Sequence, residues 1–270
     1  MARTAIKSLG LLGCGNMGGA IARGVVAADL LPAKRVFVHD PEPKAMKSLE
    51  VLGCQAAGSL TKLFQQADVI VIAVKPQVFK TMSFPPFPRG KVQKTVISVM
   101  AGIGVSRLRK IFPKPFTVIR IMPNLGLSVR EGATAIATRN VPEASIRLAE
   151  AVFNSCGQTV RVAESRMDAV TGLSGSGPMY VFEFIEAMTQ AGMDSGLLRK
   201  TAYRLAMQTV KGSVKLLETS EDLPSVWSAR VRSPGGTTAE AQKVLEKEDF
   251  HAIVRRAVAA AVKRSKELSV

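Results

Sequence analysis

The pattern of apolar and polar positions divides the chain in two. Up to about residue 165, short apolar runs alternate with helical stripes. Ser8–Leu12, Val36–Val38, Asp68–Val74, Thr95–Val99, Thr117–Met122, Ala133–Ala137 and Gln158–Val162 read as strands. Asp68–Val74 is nearly continuously apolar, as expected of a strand covered on both faces in a parallel sheet. Between the runs, Met17, Ala20, Ile21, Gly24, Val25 and Ala28 recur at helical spacing. Further helices are predicted over Lys44–Leu52, over Ser59–Gln65 with Ser59 as N-cap, and from Pro142 to about Cys156. Residues 84–88, with three prolines, read as a loop. This alternation predicts an α/β fold with a mainly parallel, doubly wound sheet.

After Glu164 the strand pattern stops. Helical patterns cover Met167–Leu173, Met179–Ala191, Leu197–Glu218, Thr237–Glu246 and Phe250–Leu268. The reading is therefore a nucleotide-type domain over residues 1–165 and an all-α domain over residues 166–270. In Met179–Ala191 only Glu183, Glu186, Thr189 and Gln190 are polar. Such a helix has to be covered on most of its circumference. A helical domain of this size offers little room for that, so a subunit interface is expected. The stretch before it, Ser174-Gly175-Ser176-Gly177-Pro178, suggests a close backbone approach at its glycines, and Pro178 suits a first helical turn.

Chemistry enters first at Gly13-Cys14-Gly15-Asn16-Met17-Gly18, which joins the first strand to the first helix. A strand, G-x-G-x-x-G and a helix in that order form a dinucleotide-binding fingerprint. Gly13 permits the tight turn, Gly15 lets a pyrophosphate approach the backbone, and Gly18 lets helix and strand pack closely. Asp40 follows the second strand, 22 residues beyond Gly18, near the spacing of a carboxylate that binds the adenosine ribose. It could equally turn the chain into Pro41. Lys75 ends an apolar strand where ligands bind in such sheets, or else is a solvated lysine before a turn.

A second motif lies in the helical half. Ser233-Pro234-Gly235-Gly236-Thr237-Thr238 puts two glycines after a proline and just before a predicted helix. The orphan N–H groups of a helix start attract an anion, and a carboxylate fits such a place. The hydroxyls of Thr237 and Thr238 can donate or accept there. Taken alone the hexapeptide could also be a plain turn and helix start.

Composition narrows the field. No apolar run approaches a membrane span, and Leu9–Leu12 is too short for a signal-peptide core, so a cytoplasmic protein with no membrane partner is expected. Cys14, Cys54 and Cys156 show no metal-ligand or redox spacing, which suits a reducing compartment. With only His39 and His251, a histidine-rich metal site is excluded, and no metal is expected. The net charge of +16 suits nucleic acid, an anionic cofactor, or solubility alone. The basic residues are spread along the chain without interleaved aromatic platforms, so no nucleic-acid partner is expected.

Several segments together resemble pyrroline-5-carboxylate reductases, the family that catalyses the last step of proline synthesis. They are Gly13–Gly18, Ala73-Val74-Lys75-Pro76, Arg130-Glu131-Gly132-Ala133-Thr134, the eleven residues from Asp168 to Pro178, and Ser233–Thr238. The resemblance spans almost the whole chain. It implies a Rossmann-type dinucleotide-binding domain followed by an all-α dimerisation domain with swapped helices, and often a larger ring of dimers. It implies NADPH or NADH as cofactor. It places Leu12, Gly13, Cys14, Gly15, Asn16, Met17, Gly18, Asp40, Ala73, Val74, Lys75, Pro76 and Ala101 at cofactor-binding positions. It places Glu221, Ser233, Gly235, Gly236, Thr237 and Thr238 at the substrate, a small cyclic imine, with Thr238 as the catalytic hydroxyl. The implied pocket lies where the helical domain of one subunit meets the nucleotide domain of another.

The chain departs from the family pattern at Leu125-Gly126 after Asn124, at Trp227-Ser228-Ala229, and at Arg230, where a polar amide is usual. Asp40 stands where NADPH-using members often carry a small or neutral residue. The chemistry remains coherent. An alcohol dehydrogenase needs a base for the hydroxyl proton, commonly His or Lys, and neither histidine lies near a predicted pocket. A cyclic imine can be protonated before hydride arrives, so a neutral hydroxyl such as Thr238 suffices to orient it. Two other readings stay open at this stage. One is a different reductase of the same two-domain plan, of β-hydroxyacid dehydrogenase or imine reductase type, with Lys200, Lys211 or Lys215 as its lysine. The other is a non-catalytic dinucleotide-binding sensor.

Overall fold

The computed structural model describes residues 6–85 and 94–268. The loop expected over residues 84–88 therefore lies outside the described residues beyond Pro85. By internal contacts the chain forms two compact units: Met1–Ser176 together with Ala261–Val270, and Gly177–Ala260.

The first unit alternates strands and helices as the apolar pattern requires. In order it contains β1 (Leu9–Leu12), α1 (Asn16–Ala27), β2 (Val36–His39), α2 (Pro43–Val51), β3 (Gln55–Ala56), α3 (Leu60–Gln66) and β4 (Val69–Ile72). It continues with α4 (Pro76–Thr81), β5 (Thr95–Ser98), α5 (Val105–Ile111), β6 (Thr117–Met122), β7 (Gly132–Ala137), α6 (Glu143–Asn154), β8 (Gly157–Val162) and α7 (Met167–Val170). Among the described residues the strands form one sheet in the order β3-β2-β1-β4-β5-β6-β7-β8. Every pairing is parallel except β6 with β7. The order reverses at β1/β4, the crevice in which such sheets bind ligands beyond the carboxyl ends of their strands.

Strand alternation distributes the apolar residues to two cores. Leu9 and Leu11 join Ile21 and Val25 of α1 and Val152 and Phe153 of α6 on one face. Ile70 and Ile72 join Leu63, Phe64, Phe79, Leu108 and Phe112 on the other. The rings of Phe64 and Phe112 stack with centroids 5.6 Å apart. Because β1 and β4 are buried at every position, their sequences show no polar alternation. Ser59 caps α3 as expected, its Oγ accepting from the Lys62 N–H at 3.2 Å.

The second unit is helical: α8 (Gly177–Asp194), α9 (Arg199–Glu218), α10 (Pro224–Arg230), α11 (Thr237–Lys247), and the first part of α12 (Phe250–Leu268), whose end belongs to the first unit. Helices α8 and α9 approach through small residues; a Cβ on Gly192 would lie 2.9 Å from Ala202 Cβ. Within the chain α8 buries only Ile185 and Thr189 and leaves Phe182 and Phe184 exposed, while α9 leaves Leu205 and Val214 exposed. Contiguous apolar surface of this kind marks an interaction face. Among the described residues no helix is long and apolar enough to cross a membrane.

The link from α7 to α8 is a π turn over Thr171–Gly175, closed by the Ser176 N–H on the Thr171 carbonyl at 2.9 Å. Gly175 is close-packed as expected of this stretch, but against a side chain: a Cβ there would lie 2.7 Å from Met122 Cε. No atom lies within 4 Å of the corresponding place on Gly177.

Helix α1 is held against the turn that follows α6 at one point with no spare volume. A Cβ on Gly24 would lie 2.1 Å from Cys156 Sγ, and Cys156 is fully buried. Gly24→Ala should therefore destabilise the protein by about 1–3 kcal/mol despite alanine's better helix propensity. Removing the sulfur in Gly24→Ala/Cys156→Ala should recover part of that loss, with a coupling of about 1 kcal/mol or more. Urea denaturation at one fixed protein concentration measures it, and strictly additive effects would contradict this packing.

Candidate active site

The glycine loop carries the geometry that its spacing predicts. Gly13 has φ +99°, and a Cβ on it would lie 2.7 Å from Ala73 C and Val74 N. A Cβ on Gly18 would lie 1.9 Å from the Gly13 carbonyl oxygen. Both positions exclude any side chain, so β1, α1 and the end of β4 meet backbone to backbone. The N–H of Ala73 donates to the Leu12 carbonyl at 2.7 Å, and the N–H of Gly13 to the His39 carbonyl at 2.9 Å. Gly15 differs: it is exposed, and a Cβ there would meet nothing within 4 Å. Gly15 and exposed Asn16 thus stand at the open N-terminus of the twelve-residue helix α1, where orphan N–H groups and the helix dipole favour an anion. The pyrophosphate of a dinucleotide fits this cradle. Leu12 itself is fully buried in the core.

Asp40 sits beside the loop. Its Oδ2 accepts from the Cys14 N–H at 2.7 Å and its Oδ1 from the Glu42 N–H at 2.8 Å. The carboxylate is thereby fixed next to the fingerprint, with lone pairs left over. Burial first, and then the Asp40 charge, push the Cys14 thiol up to about 12. Cys14 is thus a neutral thiol at physiological pH and not a nucleophile. Burial also draws His39 below its ordinary range, with Asp40 opposing, so this imidazole is neutral near pH 7. At the end of β4, Ala73 and Val74 are half-buried, Lys75 is exposed, and Pro76 opens α4. Ala101 is exposed in the turn after β5.

In the second unit, Gly235 has φ +69° and Gly236 is the N-cap of α11. The Gly236 N–H donates to the Ser233 carbonyl at 3.0 Å, and a Cβ on Gly236 would lie 2.3 Å from Ser233 Oγ. The turn thus uses Gly235 for its φ, and Gly236 sits close to the Ser233 hydroxyl. Thr237 and Thr238 are exposed in the first turn of α11, where no carbonyl of the helix can reach their N–H groups. Glu221 is exposed ahead of α10. Arg230, one of the departures from the family pattern, has local partners: it pairs with Asp222 at 2.5 Å and lies over the Trp227 ring at 4.8 Å. Lys200, Lys211 and Lys215 are all exposed, and Lys215 pairs with Glu218, so none occupies the kind of enclosed place a catalytic lysine needs.

The Leu125-Gly126 departure also has a structural account. A 3-10 turn over Leu125–Val129 follows Asn124, whose Oδ1 accepts from the Gly126 and Ala133 N–H groups, each at 3.1 Å. A Cβ on Gly126 would lie 2.4 Å from the Glu131 carbonyl oxygen, so glycine is required. Arg120 on β6 is a further buried polar residue, marked in the sequence only by its charge among Val118, Ile119 and Ile121.

Residues 164–268 match the family described as pyrroline-5-carboxylate reductase dimerisation, so the chain carries an oligomerising domain. Residues 8–102 match the family described as NADP oxidoreductase, coenzyme F420-dependent. The pyrroline-5-carboxylate reductase of Escherichia coli K12 is 36% identical over 267 residues, covering 97% of this chain and 98% of that protein. The Synechocystis enzyme is 37% identical over 262 residues, covering 96% and 97%. Among solved structures, the Coxiella burnetii reductase superposes with TM-score 0.87 at 31% identity, covering 98% of this chain and all of that one. The Plasmodium falciparum reductase with NADP bound gives 0.83 at 30%, with the same coverage. The chain belongs to the pyrroline-5-carboxylate reductases, a family of NAD(P)H-dependent oxidoreductases.

Proposed function

We propose that the protein reduces 1-pyrroline-5-carboxylate to L-proline with a hydride from NADPH or NADH. The observation that carries this reading is the Ser233–Thr238 turn: an anion-accepting helix start with an exposed hydroxyl beside it, on a chain whose other unit holds the dinucleotide fingerprint. The cofactor, when bound, supplies the hydride. Gly15 and the open start of α1 would hold its pyrophosphate, with Gly13 and Gly18 setting the turn and Cys14, Asn16 and Met17 along the loop. Asp40 would face the adenosine ribose. Leu12, Ala73, Val74, Lys75, Pro76 and Ala101 would line its path, Leu12 by its backbone only.

On the substrate side, the Gly236 N–H is already bound to Ser233. The ring carboxylate is then held by the N–H groups of Thr237 and Thr238, with the Gly235 backbone and the Ser233 hydroxyl beside it. Thr238 Oγ orients the imine nitrogen, and Glu221 completes the polar rim. Since the imine is protonated before reduction, no strong protein acid is needed. Catalysis rests on orientation and fixed dipoles. Residues 166–270 act as the dimerisation and substrate-binding part. The exposed apolar faces of α8 and α9 suit a homodimer, on which a ring of dimers can be built. The buried free cysteines suit the cytoplasm, and the dispersed basic residues suit solubility and an anionic cofactor better than nucleic acid.

Two outcomes follow. Thr238→Val removes the hydroxyl and keeps the shape. It should lower kcat/KM by roughly ten- to a hundredfold, about 1.5–3 kcal/mol, with cofactor affinity nearly unchanged. Thr237→Val should be milder, since Thr237 contributes its backbone. A Thr238→Val enzyme with wild-type kcat/KM, or a defect lying wholly in cofactor binding, would show the substrate to be misplaced. For the cofactor, the fixed Asp40 carboxylate repels a 2′-phosphate, so NADH should be at least competitive with NADPH. Asp40→Ser should shift the ratio of the two kcat/KM values toward NADPH. A wild type that strongly prefers NADPH, with a ratio the substitution leaves alone, would remove Asp40 from this role.

A further inference from the structure

Strand β6 is apolar along its interior except at Arg120, which is only 6% exposed and stands beside Ser98 of β5 in the ladder. Burial draws this guanidinium below its ordinary range, and Glu164 and then Asp168 act against that. Its Nη1 lies 4.0 Å from Glu164 Oε1. A buried cation facing an acid is costly to strip of that partner.

Both acids have a second engagement. Glu164 Oε1 accepts from the N–H of Val105, the first residue of α5, at 2.8 Å. Asp168 Oδ1 accepts from Ser265 Oγ at 2.7 Å, across 97 residues of sequence. Ser265 is the buried residue of α12. The end of this helix is therefore tied to a carboxylate by a hydrogen bond. Three residues further on, Leu268 lies over the loop that joins β5 to α5. Gly102 in that loop has φ +73°, and a Cβ on it would lie 2.8 Å from the Leu268 carbonyl oxygen. The same ion cluster thus grips the loop twice: at Val105 through Glu164, and at Gly102 through Asp168, Ser265 and the last turn of α12. Immediately before the Gly102 grip the loop presents exposed Ala101.

We propose that Asp168 and Ser265 are positioning residues for the cofactor: their hydrogen bond holds the end of α12 on Gly102 and so fixes the loop that carries Ala101. The proposal rests on the reading of Ala101 as a cofactor-contacting position. Neither residue touches the reacting atoms. Their effect is on how well the loop is formed before the dinucleotide arrives, and a loose loop lowers cofactor affinity through the ordering it then requires.

The test uses the full-length protein with three substitutions. Ser265→Ala removes the hydroxyl, Ser265→Thr keeps it, and Ala101→Leu probes the loop directly. Dissociation constants for NADH and NADPH are measured by fluorescence, and KM for the imine and Tm are measured on the same samples. Ser265→Ala should weaken cofactor binding by about tenfold and leave the imine KM within about twofold, and Ser265→Thr should recover most of the affinity. A Ser265→Ala protein that loses Tm but binds cofactor as wild type would overturn the proposal, because the bond would then be a structural tie only. Ala101→Leu should weaken cofactor binding whatever Ser265 does. If it weakens binding and Ser265→Ala does not, the tie is refuted while the loop keeps its place at the cofactor. If neither affects binding, the placement of Ala101 is wrong and the proposal fails with it.

Discussion

The first unit depends on a single steric requirement: β1, α1 and the end of β4 must come together with no side chain between them. A methyl group on Gly18 would sit on the Gly13 carbonyl, and one on Gly13 would sit on the backbone of Ala73 and Val74. The start of α1 is thereby fixed at the point where the sheet order reverses. Gly15, one turn residue away, has open space instead. The loop therefore has two closed glycines that set the backbone and one open glycine that leaves room for a ligand. The neighbouring Asp40 carboxylate binds two backbone N–H groups and holds the edge of that space. Backbone packing and the open start of α1 arise from the same six residues.

The second unit applies the same economy at Ser233–Thr238. Gly235 supplies a left-handed turn, and Gly236 supplies the space that Ser233 occupies. The outcome is a helix start whose free N–H groups and two hydroxyls face outward. Neither of the two histidines lies in this turn. His39 is held neutral by burial near the glycine loop, and His251 lies at the start of α12 against Phe250. The departures from the family pattern are absorbed locally, Arg230 by Asp222 and Trp227, and Leu125-Gly126 by a turn built on Asn124.

Legibility in the sequence followed how local the physical cause was. Strands β1 and β4 and the fingerprint were readable because continuous apolar runs and glycine spacing are local signals. Several short elements were not, although seven-residue α3 was marked by its Ser59 cap. Strand β3 has two exposed residues at the sheet edge, and α4, α5 and α10 have six or seven residues each, too few for a period to emerge. The antiparallel step from β6 to β7 also left no mark, since a buried strand reads alike in either direction. In the candidate site, Asp40 was visible by its spacing, but its bonds to Cys14 and Glu42 were not. The Arg120, Glu164, Asp168 and Ser265 cluster joins residues from four elements, and only the lone charge in β6 hinted at it.

The central claim is that this chain binds a reduced nicotinamide cofactor and uses the Ser233–Thr238 turn to hold the carboxylate of a cyclic imine for reduction. Turnover with 1-pyrroline-5-carboxylate, compared with 1-pyrroline lacking the carboxylate, tests it most directly, with loss of the reduced cofactor and formation of the cyclic amine both followed. The account predicts stoichiometric L-proline from the first substrate and a large loss of kcat/KM on the second, since the helix-start N–H groups would have nothing to bind. No proline formed, or equal kcat/KM for the two imines, would contradict it.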